Sequence, residues 1–163
     1  MSQNSEAYEL VRLSDCPELV PLCAGFHARL SGDDSEEGLA MRQAAFQRLA
    51  LDGEEEDGLV ALVKDAERAG QVAGMGVLVR TDMEAFEDLG PWLTGLAVGN
   101  DDANETLRAS LCREMELIAG ELGYEHIFVQ TEDAPFFMAR GYEEVEPFEK
   151  DGMSRWVLVK ALA

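Results

Sequence analysis

Pro91-Trp-Leu-Thr-Gly-Leu-Ala-Val98, followed by Gly99-Asn-Asp-Asp-Ala-Asn-Glu-Thr-Leu-Arg108 and a run to Leu122, sets how this chain is built. Trp92 to Val98 is an apolar run of strand length, opened by Gly90-Pro91. After a short polar loop, Leu107, Leu111, Met115, Ile118 and Leu122 recur at steps of three and four, which gathers them on one helical face. Gly123 follows as a C-cap. The pattern predicts a buried strand, a tight exposed turn over residues 99 to 105, and an amphipathic helix. A strand that feeds a helix in this way aims the helix's free N–H groups at the crevice beside it, where many folds hold a phosphate.

On the N-terminal side, Tyr8 to Leu13 alternates as a first strand. Asp15-Cys-Pro-Glu18 has the form of a capping box. Leu19, Leu22, Cys23, Phe26 and Leu30 form the inward stripe of a first helix that ends near Gly32. Ser35 to Leu51 is a second helix with Leu39, Phe46 and Leu49 inward. Asp52-Gly-Glu-Glu-Glu-Asp-Gly58 reads as a loop, from its glycines and mutual repulsion. Leu59 to Val63 and Val72 to Arg80 form an antiparallel hairpin, and Thr81 to Gly90 links it to the central strand. On the C-terminal side come a short buried strand at His126 to Gln130 and a brief helix from Ala134 to Arg140 stopped by Gly141. Two last strands follow, Glu143 to Phe148 and Ser154 to Leu162. No internal repeat or low-complexity segment interrupts the chain, so residues 1–163 read as a single α/β (α+β) domain.

With 163 residues and 47% hydrophobic content, the chain can bury a genuine core. No apolar run reaches membrane-spanning length, and Met1-Ser-Gln-Asn-Ser-Glu6 lacks the basic and apolar regions of a signal peptide. Cys16, Cys23 and Cys112 are odd in number and lack metal-ligand spacing. That predicts free thiols in a cytoplasmic protein and no metal site. A formal charge of −20, from 33 acids against 13 bases, argues against nucleic acid or an anionic membrane as partner. It suits a cationic acceptor or a high-salt surface; ten arginines against three lysines lean towards the latter.

The order β-α-α-β-β-β-α-β-α-β-β resembles that of the GCN5-related N-acetyltransferase (GNAT) superfamily, and the likeness covers nearly the whole chain. It is densest at Asp82-Met83 and Asp88-Leu-Gly-Pro-Trp-Leu93, with Pro17-Glu-Leu19 and the closing Phe137-x-x-x-Gly141-Tyr142 in support. The resemblance implies a mixed, mostly antiparallel sheet of about seven strands flanked by four helices. It implies acetyl-coenzyme A as cofactor and an amine, on a small molecule or a peptide, as acceptor. By the same token the main chain of Leu96, Ala97 and Val98 would contact the acetyl end. Ala103, Asn104, Thr106, Leu107 and Arg108 would form the pyrophosphate loop. With Val98 and Leu111 as anchors the spacing is that of the family, but its side chains differ. Ala103 stands at the basic position, and Thr106 and Arg108 stand at the two glycine positions.

A pyrophosphate must approach several backbone N–H groups closely, and side chains at the glycine positions obstruct it. Asp101, Asp102 and Glu105 add repulsion, and Asp102-Ala-Asn-Glu105 can itself cap the helix. Arg108 is either a replacement cation or an ordinary helix residue paired with an acid, and the second is favoured. The family's proton-donating Tyr corresponds here to Phe137, which has no proton to give. Glu132, Asp133 and Tyr142 are the weak candidates for proton transfer. Glu132 and Asp133 also fit as first-turn acids of the short helix, and Tyr142, like Tyr124, also fits as packing. His27 and His126 stand without a sequence partner. Two functions stay open: transfer of acetyl from acetyl-coenzyme A to a primary amine, or a GNAT-fold binding or regulatory module with impaired cofactor binding. The oligomeric state, homodimer included, is open as well.

Overall fold

The computed structural model describes residues 7–33, 35–65, 67–81, 88–99, 105–150 and 152–162. Seven strands form one sheet: β1 (Tyr8–Arg12), β2 (Asp57–Val63), β3 (Val72–Val79), β4 (Trp92–Val98), β5 (His126–Thr131), β6 (Glu143–Lys150) and β7 (Met153–Ala161). Four helices pack on it: α1 (Val20–Ser31), α2 (Glu36–Asp52), α3 (Glu105–Glu121) and α4 (Ala134–Met138). The strand order is β1-β2-β3-β4-β5-β7-β6. Neighbours run antiparallel except β4 and β5, which are parallel. The element order and sheet type are those expected.

Each side of the sheet has its own core. On one, Leu13, Val60, Met75 and Val77 receive Val20, Cys23 and Phe26 of α1 and Phe46 and Leu49 of α2. On the other, Leu107, Leu111, Met115 and Ile118 of α3 press onto Leu59, Ala61, Leu93 and Ile127, with Phe136, Phe137 and Tyr142 alongside. The predicted face of α3 is therefore the buried one, and Leu122 lies half-buried at its end. Gly74 lets the layers meet closely, because a Cβ there would come 3.0 Å from both the Ala97 carbonyl and Leu111.

Several local expectations are corrected. Leu22 and Leu30 of α1 are exposed at 52% and 37%. The buried positions are Val20, Cys23, Ala24, Phe26 and Ala28, a narrower stripe that small residues complete. The anticipated capping box before α1 gives way to a 3-10 turn at Pro17–Leu19 with no side-chain cap. α2 begins as expected, with Ser35 Oγ accepting from the Gly38 amide at 3.0 Å. α4 is shorter than read, ending at Met138. The turn predicted over residues 99 to 105 falls largely, at 100–104, outside the described residues, as do residues 82–87 of the linking loop.

The acidic run before β2 differs most from its reading as a loop. Glu56 is buried and Asp57 wholly so, as the first residue of the strand. Asp57 Oδ2 accepts from Arg12 Nε at 2.7 Å and Ser14 Oγ at 2.5 Å. Its Oδ1 accepts from the Ser14 amide at 3.0 Å and the Gly58 amide at 2.7 Å. Glu56 accepts from Arg48 and, at 2.8 Å, from the Arg80 amide. Supplied with donors in this way, both carboxylates are held inside, where charge repulsion alone would expel them.

Candidate functional site

The sheet comes apart between β4 and β5. The two strands pair at Trp92 and Phe128, with the Phe128 amide donating to the Pro91 carbonyl at 2.9 Å. Beyond that point no β5 residue is in register with β4, while β4 stays bonded to β3 as far as Val98. The edge of β4 facing β5, from Leu93 to Val98, is thus left without a strand partner among the described residues. Two local features set the opening. At the closed end Trp92 is buried against the Phe128 ring, centroids 5.5 Å apart, and its indole N–H donates to the Leu89 carbonyl at 2.9 Å. Further along, Met75 pairs with Ala97 but Val77 with Thr94, so Gly95 and Leu96 form a bulge opposite Gly76. Gly95 takes φ +60, a left-handed conformation that favours glycine, and its Cβ would strike Val77 at 2.9 Å. The bulge takes Gly95 and Leu96 out of regular pairing, and Ala97 and Val98 resume it opposite Met75 and Gly74, next to the opening.

At the mouth stand the first turn of α3 and the start of α4. Arg108 reaches across from one to the other. Its Nη1 is 2.9 Å from Asp133 Oδ2, and its guanidinium carbon lies 3.9 Å over the Phe136 ring. The Arg108 side chain remains 30% exposed, so it is paired with an acid, as favoured from sequence, while lying flat on an aromatic ring. Asp133 does two things at once: it binds Arg108 and it caps α4, accepting from the Phe136 amide at 3.3 Å. The Arg108 hydrogen bond above all holds the Asp133 carboxyl below its ordinary range. Thr106 is exposed and Leu107 buried in the α3–sheet core, whereas Ala103 and Asn104 lie outside the described residues.

The remaining candidates are placed as follows. Phe137 is buried and meets Phe136 and Tyr142 edge-on, at 5.0 and 5.3 Å between centroids. Tyr142 is also buried, and its hydroxyl donates to Glu116 Oε2 at 2.9 Å. Burial first, then nearby Cys112 and Glu116, push its phenol far above the usual range. Lys160 Nζ holds the other Glu116 oxygen at 2.8 Å, so this network ties α3 to β7 and commits the phenol's proton to Glu116. Glu132, just past β5, is exposed and paired with Arg155 at 2.9 Å. Tyr124 donates to the Glu55 carbonyl at 2.8 Å. His27 Nδ1 accepts from Arg42 Nε at 3.0 Å between α1 and α2, and His126 is exposed at the start of β5. Among the described residues no cluster of His, Cys, Asp and Glu could hold a metal ion, and no helix is long and apolar enough to cross a membrane.

Sequence reasoning missed a group of cations beside Arg108. Arg113 and Arg140 line one groove between α3 and α4, with Lys160 at its far end. They are scattered in sequence, which hid them. The detectable signal was Thr106, Ala109, Arg113 and Glu116, a stripe at steps of three, four and three that flanks the apolar face of α3.

No family model and no curated protein sequence matches the chain. Solved structures do match. The aminoglycoside 6′-N-acetyltransferase from Enterococcus faecium superposes with a TM-score of 0.73 at 11% identity, over 95% of this chain and 97% of that one. A GNAT-family acetyltransferase from Staphylococcus aureus gives 0.67 at 13% identity, over 96% and 100%. An acyl-CoA N-acyltransferase from Pseudomonas aeruginosa gives 0.63 at 16%, over 94% and 98%. With its parted β4 and β5 and its β4 bulge, the chain has the GNAT acetyltransferase fold.

Proposed function

We propose that this protein is an N-acetyltransferase that moves an acetyl group from acetyl-coenzyme A to a primary amine, in the cytoplasm. The observation that carries the reading is the unpaired edge of β4 beside the opening to β5. Main-chain donors and acceptors without a strand partner suit an extended, amide-bearing arm, which would complete the sheet. The residues at the mouth fit the other end of the same molecule. Arg108, Arg113 and Arg140 gather where phosphates would lie, on a chain whose net charge is −20.

When bound, acetyl-coenzyme A supplies an acetyl group activated as a thioester. The chain's own part is to hold that end against Leu96, Ala97 and Val98, whose main chain can donate to an oxygen that gains charge. Orientation inside the opening supplies much of the remaining acceleration. Glu132 sits at the carboxyl end of β5, where an incoming amine would shed its proton, with Arg155 holding it in place. Thr106 and Arg108 stand in place of the family's loop glycines, so phosphate contacts come from side chains more than from a main-chain cradle. The acidic surface favours a cationic acceptor, on a small molecule or a peptide.

A second reading has its own support. Phe137 offers no proton, and the Tyr142 hydroxyl is committed to Glu116. A GNAT-fold binding or regulatory module with impaired cofactor binding would look the same at these positions. One experiment separates the two: a thermal-shift titration with acetyl-coenzyme A, followed by thiol release with a panel of diamines and N-terminal peptides. Ligand at a hundred times its dissociation constant stabilises the native state by about 2.7 kcal/mol, which melting detects easily. A shift with thiol release supports transfer. No shift at millimolar ligand overturns transfer and supports the module with impaired cofactor binding, and a shift at micromolar ligand overturns that module.

A further inference from the structure

The solvent side of α2 is apolar where water selects charge. Its buried residues are Gly38, Phe46, Leu49 and Ala50. At the helical repeat, Glu37, Ala40, Met41, Ala44, Arg48 and Leu51 fall on the opposite side, and all are exposed. Met41 is 67% and Leu51 77% exposed, the highest values among the large apolar side chains of the described residues. Single exposed apolar residues are ordinary on a protein surface; a helical stripe of them marks a contact face.

The same layer lacks the charge that covers the rest of the chain. Acids make up 33 of the 163 residues, yet none occurs from Gly38 to Leu51, nor from Leu19 to Gly32 in and around α1, which packs on the same side of the sheet. Leu22 of α1, exposed, adds apolar area there. Two copies of a chain with net charge −20 repel wherever acid faces acid. Over α1 and α2 that repulsion is least.

The stripe is also complementary to itself in one direction. It runs from Glu37 through Ala40, Met41 and Ala44 to Arg48. Arg48 binds Glu56, but its side chain stays 60% exposed and keeps further N–H donors. Two such helices can be set antiparallel about a two-fold axis midway between residues 41 and 44. Glu37 then faces the partner's Arg48 and Met41 rests on the partner's Ala44, and symmetry makes each contact twice. Ala40 and Ala44 are small enough for the helix axes to approach to about 8–10 Å. A parallel pair would set Glu37 against Glu37 and Arg48 against Arg48.

We infer that the outward face of α2 docks on the same face of a second copy, antiparallel, in a two-fold dimer. The occupant is a second copy because acid and base stand at equal distances from the centre of the stripe, a spacing that an identical helix in reverse matches by symmetry. One helix pair flanked by α1 is a small interface, so the dimer dissociates on dilution. None of this depends on acetyl transfer.

The test is sedimentation equilibrium of the intact chain over a concentration series, in enough salt to screen the net charge. It is repeated on Met41→Lys, Glu37→Arg and a control, Leu117→Lys, at an exposed apolar position of α3. All three sites face solvent, and melting curves establish that each variant is folded. The native chain should pass from monomer to dimer as concentration rises. Met41→Lys should raise the dissociation constant about thirtyfold or more, because the change acts twice in the dimer. Glu37→Arg, which sets two like-charge pairs against Arg48, should raise it about threefold to thirtyfold. Leu117→Lys should leave it unchanged. A native chain that stays monomeric to about millimolar concentration overturns the proposal, and the face is then free or taken by another protein. A dimer that Met41→Lys or Glu37→Arg fails to weaken is paired elsewhere or in another register, and one that Leu117→Lys weakens equally is indiscriminate apolar association; each of these also overturns it.

Discussion

Replacing Arg12 by Ala should destabilise the protein by about 2–3 kcal/mol, and the figure follows from the surroundings of Asp57. That carboxylate is fully buried and takes four donors, of which Arg12 is the one that carries charge. Removing one partner of a buried ion pair costs roughly 3–5 kcal/mol when the other is left uncompensated. Here the Ser14 amide, the Ser14 hydroxyl and the Gly58 amide remain, which places the loss nearer one charge-assisted hydrogen bond, about 1.5–3 kcal/mol. Arg12 also donates to the Gly53 carbonyl at 3.0 Å, a weaker contact that adds to the total. For a chain of this length that loss lowers Tm by roughly 4–12 °C. Urea unfolding of Arg12→Ala, Asp57→Asn and the double variant gives the coupling between the two residues directly. A loss below about 0.5 kcal/mol for Arg12→Ala would mean that Asp57 is satisfied without the cation, and the account of how the acidic run enters the core would fail.

Leu111→Ala, at a wholly buried position between α3 and Gly74, should cost about 2–5 kcal/mol by opening a cavity, read from the same unfolding curves. Asp133→Asn keeps the cap on α4 but frees Arg108. Because the pair is partly exposed and worth about 0.2–1 kcal/mol, coenzyme A binding measured by calorimetry should tighten by about 1.5-fold to fivefold; weaker binding would show that Asp133 positions Arg108 instead of competing for it. Burial and the facing Arg42 hold the His27 imidazole below its ordinary range, so the folded chain binds fewer protons there than the unfolded one. Stability is therefore full above the unfolded value near 6.5 and falls as pH drops through the folded one, and His27→Gln should flatten that part of a melting profile.

What the sequence conveyed and what it hid divide along physical lines. The α3 stripe and the β4 run were legible because period and apolarity are local, and Gly32, Gly123 and Gly141 marked ends with the left-handed conformations they adopt. Asp57 was not, because its donors are Arg12 and Ser14, more than forty residues earlier. Arg113 lies on α3 and Arg140 just past the end of α4, so their shared groove existed only once the chain had folded. Leu22 and Leu30 fit a helical period, but the sheet beneath α1 is met by a stripe too narrow to include them. The loss of a proton donor at Phe137 could be read from sequence; the engagement of Tyr142 by Glu116 could not.

The join at Trp92 and Phe128 makes the sheet two leaves on one spine. β1 to β4 form the first leaf and β5 to β7 the second. α3 lies across both, and its side chains stitch it to the second at two places, Arg108 to Asp133 and Glu116 to Lys160. An extended molecule seated along β4 would act as a missing strand, lending the two leaves the continuity that the polypeptide alone withholds. The leaves would then unfold together as one cooperative unit, and slowed amide exchange along Leu93 to Val98 would be the visible trace of that fusion.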